Sequence, residues 1–212
     1  MDISFVLFCL ADAAMVVAAA ICGWKFLKKR NYLLGIEWWV VMVSGTNFFV
    51  YALSGSHALY NISYFFDAFS RAFGFPVVAV AGFMVLTHRY RPSVFADTAY
   101  FAVSAVGTII LLSVDALTPI KPYLYLVMWT AYSIYLIYFV WRLFRAGAKG
   151  HAFGMSVVIV TSQIIASIYD FYHIPGDDDQ HTLFYIAALT TWGFSLLEQY
   201  LAYSALERAE AK

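Results

Sequence analysis

The chain has 212 residues, of which 63% are hydrophobic and 12% charged, whereas soluble domains are roughly half apolar and a quarter charged. A soluble fold of this size would expose large apolar patches, so the composition excludes the soluble enzyme classes. Lys+Arg and Asp+Glu both number 13, and without a basic excess nothing points to nucleic acid.

Runs of about twenty apolar residues, enough to cross a ~30 Å hydrocarbon core at about 1.5 Å per residue, occur seven times. They lie at 3–24, 33–54, 62–87, 96–114, 122–143, 152–173 and 182–204. The first has Asp2 where a signal peptide carries a basic region, and its basic cluster follows the apolar run, so it reads as a retained helix. It holds Asp12 between Ala11 and Ala13, and also Cys9 and Cys22, whose spacing suits neither a disulfide nor a metal. The second run has Glu37 beside Trp38-Trp39 near its start, the pattern of an interfacial anchor, and Asn47 about 10 Å below its other end. In the third, Asp67 and Arg71 share a helix face at i, i+4. Gly74 and Pro76 follow, and proline removes a backbone hydrogen bond and kinks helices. The sixth contains Gln163 near mid-membrane and Asp170 near its end, and the seventh contains Trp192 and Glu198.

Basic residues test this count. The first, third and fifth connections and the C-terminal tail hold 11 of the 13, the alternate loops hold only Lys121, and Arg71 falls inside a span. Positive-inside bias then predicts an all-α polytopic membrane protein with its N-terminus outside and its C-terminus in the cytoplasm. It is expected to be a single seven-helix transmembrane domain over residues 1–212, set in a bacterial inner membrane or a eukaryotic endomembrane. Every lysine lies outside the hydrophobic centre, which argues against a retinal Schiff base.

Charged side chains inside a bilayer usually face a cavity, a partner or a pathway. Counted along the helices, Asp67 lies about 8 Å deep, Asp12 and Arg71 about 13 Å, and Asp170 about 5 Å. Asn47 and Trp192 reach the same half. The expectation is an outward-opening polar pocket walled by aromatics, with Asp12 a partner for Arg71. Phe65, Phe66, Phe69, Phe73 and Phe75 supply a candidate wall. Asp170, His173, Asp177, Asp178, Asp179 and His181 have metal-ligand chemistry, but acids after Pro175-Gly176 read more simply as a solvated turn. Neither a metal nor a cofactor is expected.

Asp12 midway along the first helix, the basic hinge Lys28-Lys29-Arg30-Asn31-Tyr32 and the Asn47-Phe48-Phe49-Val50-Tyr51 segment resemble the small seven-helix integral-membrane terpene cyclases of fungal meroterpenoid and indole-diterpene pathways, with bacterial relatives. The resemblance implies a carboxylic acid that protonates an epoxide or alkene of a prenyl chain, and aromatic walls that guide the cation. Such cyclases usually carry a Trp-Glu pair in the second helix, where this chain has Asn47-Phe48. Their last-helix acid is matched in type and rough position by Glu198. The expected function is therefore a membrane-bound terpene cyclase or isomerase acting on a hydrophobic prenyl or lipid-like substrate. Its candidate catalytic residues are Asp67, Asp170, Glu198 and Asp12, and its candidate substrate-binding residues are Arg71, Asn47, Gln163, Phe66, Phe73 and Trp192. The competing expectation is a small-solute or proton transporter or channel using the same intramembrane Asp/Arg groups. Either way its partners are a small molecule and membrane lipid.

Overall fold

The structure, a computed structural model, describes residues 3–211, and among these every regular element is helical. Seven long helices follow one another: α1 Ile3–Lys28, α2 Tyr32–Ser54, α3 His57–Thr87, α4 Val94–Ser113, α5 Lys121–Arg145, α6 Lys149–Ile168 and α7 Thr182–Glu210. A single 3₁₀ turn, Asp115–Leu117, joins α4 to α5. The first six helices are long and apolar enough to cross a membrane. The last, 29 residues long, is more polar, and much of it is enclosed, from Phe184 through Glu198 and Gln199 to Leu206. The chain is thus a multi-pass helical membrane protein.

Three helices depart from their expected bounds. α3 begins at His57 rather than 62, and its middle, Ser70–Ala79, is π-helical. Proline explains the widening: Pro76 has no N–H to give, and its ring collides with a carbonyl one turn back in a regular helix, strain that a wider turn relieves. α6 ends at Ile168 rather than 173, so Asp170 stands on the turn that follows. α7 continues to Glu210.

Neighbour relations make a ring. α1 packs on α2 and α7, α7 on α6, α6 on α5, α5 on the π segment of α3, and α3 on α2. α4 lies outside the ring against α3 and turns Val103, Val106, Ile109 and Ile110 outward, as a lipid-facing helix does. Asn31 fixes one end of the bundle. Its Oδ1 accepts the Leu34 amide at 3.2 Å as the N-cap of α2, and its Nδ2 donates to Gly82 O at 2.8 Å and Tyr203 Oη at 3.2 Å. The basic hinge is thereby tied to α3 and α7 at once. Inside the ring lies an aromatic core in which Trp38, whose Nε1 donates to Leu196 O at 3.2 Å, contacts Phe26, Phe75 and Phe83. Phase drift through the π segment turns Arg71, Ala72, Gly74 and Phe75 all inward, which puts a guanidinium in the same interior.

Candidate functional site

Arg71 is the centre of the polar interior. Its Nη1 lies 3.1 Å from Asp67 Oδ2 and 3.3 Å from Asp170 Oδ1, and its Nη2 bonds Asp170 Oδ2. Tyr169 Oη donates to the other oxygen of Asp67 at 2.9 Å. The rings of Tyr125 and Tyr169 lie against the guanidinium, with centroids 4.1 and 3.9 Å from Cζ. The planar cation thus lies against two aromatic rings and is forked toward carboxylates, a role that lysine's point charge cannot fill. The two carboxylates outnumber the cation, so the cluster carries one formal negative charge. Arg71 is buried, whereas the Asp67 and Asp170 side chains keep 29% and 22% of their exposure.

Beside this cluster is a cavity of about 10 Å³ lined by Arg71, Tyr125, Trp129, Ala166, Tyr169 and Trp192. That is room for about one water molecule. Trp129 and Trp192 of this lining have indole N–H groups that are buried without a hydrogen-bond partner among the described residues. Where helix depths lead one to expect an outward-opening polar pocket walled by aromatics, the structure has this small space beside Arg71.

Asp12 does not join Arg71. Arg71 is saturated by Asp67 and Asp170, and Asp12, 1% exposed, finds no hydrogen bond with either oxygen. It packs instead against α2, where a Cβ on Gly45 would approach its Oδ1 at 3.3 Å. One turn away, Phe8 meets Phe48 at 5.6 Å, and Phe48 meets Tyr185 at 5.0 Å. Glu37 overturns its expected role as an interfacial anchor. It is fully buried, and neither oxygen has a partner among the described residues. The reason lies on another helix. Gly74 in the π segment leaves a notch for this carboxyl, and a methyl group there would collide with Oε1. Sequence position showed Glu37 to be near a helix end; what the rotation of α2 faces was not legible from it.

Glu198 is also buried, in a notch opposite Gly154 of α6, and its Oε1 lies 3.0 Å from His151 Nδ1. His151 keeps 35% of its side-chain exposure, so this pair connects a buried acid to the outside. Tyr132 Oη donates to Gln199 Oε1 at 2.5 Å and Gln199 Nε2 to Ser195 Oγ at 2.6 Å, a buried polar chain beside Glu198 on α7.

The other expected site residues lie elsewhere. Asn47 Nδ2 donates to Leu59 O and Ser63 Oγ at 2.8 and 2.7 Å, which fastens α2 to α3. Gln163 bridges to α5, accepting from Ser133 Oγ at 2.8 Å and donating to Thr130 Oγ1 at 3.2 Å. Phe73 packs against Gly107 of α4, and Phe66 meets Phe65 edge-on; Phe75 is the phenylalanine that reaches the core, between Trp38, Trp129 and Tyr132. Asp177 and Asp178 cap α7. Asp177 accepts the Leu183 and Phe184 amides at 2.8 and 2.9 Å, and Asp178 accepts the Gln180 and Thr182 amides at 3.1 and 2.9 Å.

Tyr125, Tyr169 and Trp129 are the members of the site that residue-type reasoning missed, because tyrosine and tryptophan near helix ends read as membrane-belt residues. The i, i+3 and i, i+4 spacing of Tyr125, Trp129 and Tyr132 was the available signal. No family model, curated protein or solved structure matches the chain.

Proposed function

We propose that the protein is an integral-membrane enzyme that isomerises or cyclises a prenyl or lipid-like substrate by protonating it. The observation that carries this reading is the pair of buried carboxyl groups, Asp12 and Glu37, that no described residue hydrogen-bonds. An ionised carboxylate without a counter-ion is among the costliest groups a bilayer interior can hold, so each is carried as a neutral acid. A neutral carboxylic acid in apolar surroundings is the donor that a weakly basic alkene or epoxide requires. Trp38, Phe75, Trp129 and Tyr132, packed on one another in the core that α2 shares with the π segment, stabilise a carbocation through their quadrupoles without attacking it.

Asp67 and Asp170, paired with Arg71, complement the acids. They take the proton that the cation releases when the product forms, so that neighbouring environments divide acid from base. Arg71 and Glu37 meet the same π segment three residues apart at Arg71 and Gly74, and Trp129 touches both surroundings. Trp129, Trp192 and Arg71 orient a polar oxygen of the substrate, and Glu198 with His151 returns protons to the acids. Asn47, Gln163, Phe66 and Phe73 hold the helices that carry these groups. The resemblance to small seven-helix terpene cyclases supports the same chemistry, with Glu37 as this chain's second-helix acid.

Turnover of prenyl epoxides and polyenes by the purified protein, followed by mass spectrometry of products, tests the reading. Glu37→Gln and Asp12→Asn preserve shape and remove the acid. Loss of product in either, with helicity retained, identifies the donor, and full activity in both rejects the acid assignment. The second reading, a proton or solute transporter, is favoured by the size of the cavity, which suits a water better than a prenyl chain. In proteoliposomes it predicts a flux without any convertible substrate, abolished by the same substitutions.

A further inference from the structure

A groove at the opposite end of the bundle from the α6–α7 loop lies between the last turns of α5 and of α7. It measures about 470 Å³, and Tyr138, Trp141, Arg142, Arg145, Ala209 and Glu210 line it. Arg142 is held by neighbours on two other helices: Nη1 donates to Thr87 O at 2.6 Å and to Tyr138 Oη at 3.1 Å, and Nη2 bonds the Glu210 carboxylate. Arg145 is exposed, has no ion pair among the described residues, and rests with Cζ 4.9 Å from the Trp141 ring. The floor is aromatic, with Tyr138 and Trp141 stacked at 5.8 Å. Trp141 is 48% exposed. Two guanidiniums against one carboxylate leave the groove positive.

We propose that this groove binds the phosphodiester headgroup of an anionic phospholipid. Three features select that occupant. The volume falls in the range of small-molecule sites and far exceeds a single ion. Arginine forks match phosphate oxygens, and Arg145 is unspent while Arg142 already has its fork oriented. Trp141 and Tyr138 stand where amphipathic rings favour the headgroup layer, and exposed Ile137 and Ile134 continue along α5 away from its basic end as an apolar track for an acyl chain. Basic clefts between helices at this depth are where lipid phosphates are recognised. The phosphate bridges Arg145 and Arg142 and replaces Glu210 as the partner of Nη2.

Native mass spectrometry of the full chain, released from detergent containing phosphatidylglycerol or phosphatidylcholine, tests this. One retained phosphatidylglycerol is expected, with phosphatidylcholine retained about tenfold less, and Arg145→Gln lowers phosphatidylglycerol retention about tenfold, a difference of ~1.4 kcal/mol, with unchanged helicity. Glu210→Gln removes the competing acid and raises retention. Arg142→Gln also severs the tie to Thr87, so Arg145→Gln and Glu210→Gln decide. Equal retention of both lipids, undiminished binding by Arg145→Gln, or weaker binding by Glu210→Gln overturns the proposal. Displacement of the lipid by millimolar inorganic phosphate also overturns it and assigns the groove to a soluble phosphate.

Discussion

Arg71 is paired with two carboxylates, one on α3 and one on the turn after α6, and two tyrosine rings lie against it, and each kind of contact can be removed separately. Arg71→Gln leaves Asp67 and Asp170 facing each other without a cation. Breaking a buried pair costs about 3–5 kcal/mol, and the partial exposure of both carboxylates places the loss near about 3 kcal/mol. Arg71→Lys restores charge but neither fork nor stacking and is expected to recover less than half of that. Thermal unfolding in detergent measures both, and a Lys variant as stable as the parent refutes the stacking argument. Gly74 offers a second contrast. Gly74→Ala puts a methyl group against the Glu37 carboxyl, and overpacking of this kind costs roughly 1–3 kcal/mol. Combining it with Glu37→Ala vacates the space, so the double variant is expected to lose less than the sum of the single changes. Asp67, Arg71 and Asp170 were legible as a group because charges in a bilayer are rare and these fall in the same half of it, a criterion that also drew in Asp12, which the structure places apart. Glu37 was not, because its partner surface is an absence, a glycine on another helix in a non-α segment.

At the scale of elements, the membrane-length helices were legible since hydrocarbon thickness fixes how long an apolar run must be. Their ends followed subtler terms. The turn after Ile168 places Tyr169 and Asp170 at Arg71, and the following loop spends its acids on α7. Helix N-termini leave amides unpaired, and Asp177 and Asp178 accept four of the amides in and just before the first turn. Asp177→Ala is expected to cost about 1 kcal/mol, and Asp177→Asn less, because an acceptor remains. The Thr182 hydroxyl and backbone amide hold the Asp178 carboxyl below its ordinary value. A depressed carboxyl contributes stability at pH values above the unfolded-state value of about 3.9 and loses it as pH falls through the lower, folded value. The amides of Gln180 and Thr182 are therefore expected to stay protected from hydrogen exchange down to about pH 4 and to open below it. Protection unchanged in Asp178→Asn at neutral pH excludes a charge-dependent cap.

For the whole molecule, orientation remains a consequence of charge rather than of packing, since the same bundle fits a bilayer either way up. The end that carries the α1–α2 and α5–α6 loops holds Lys28, Lys29, Arg30, Arg142, Arg145 and Lys149, and there α7 is clamped by the Lys29–Glu207 and Arg142–Glu210 ion pairs. The other end carries Ser56 near the α2–α3 turn and the acids that cap α7. Basic residues near helix ends resist translocation, and this bias sets topology over short loops such as these. The basic end is therefore expected in the cytoplasm. The Asp67–Arg71–Asp170 cluster is then expected toward the outer leaflet, and His151, Glu198 and the groove between α5 and α7 toward the inner one. Single cysteines at Ser56 and Ala148, introduced after Cys9 and Cys22 are replaced, test this in intact cells. An impermeant maleimide is expected to label position 56 without permeabilisation and position 148 only after it. The reverse pattern inverts the molecule and would place His151 at the outside, and labelling of both positions from one side contradicts the antiparallel arrangement of α3 and α6. A further arm makes the result depend on charge. Replacing Lys28, Lys29 and Arg30 with glutamine weakens the strongest basic cluster beside the first helix, and a mixed population with position 56 partly protected is the outcome that positive-inside bias requires.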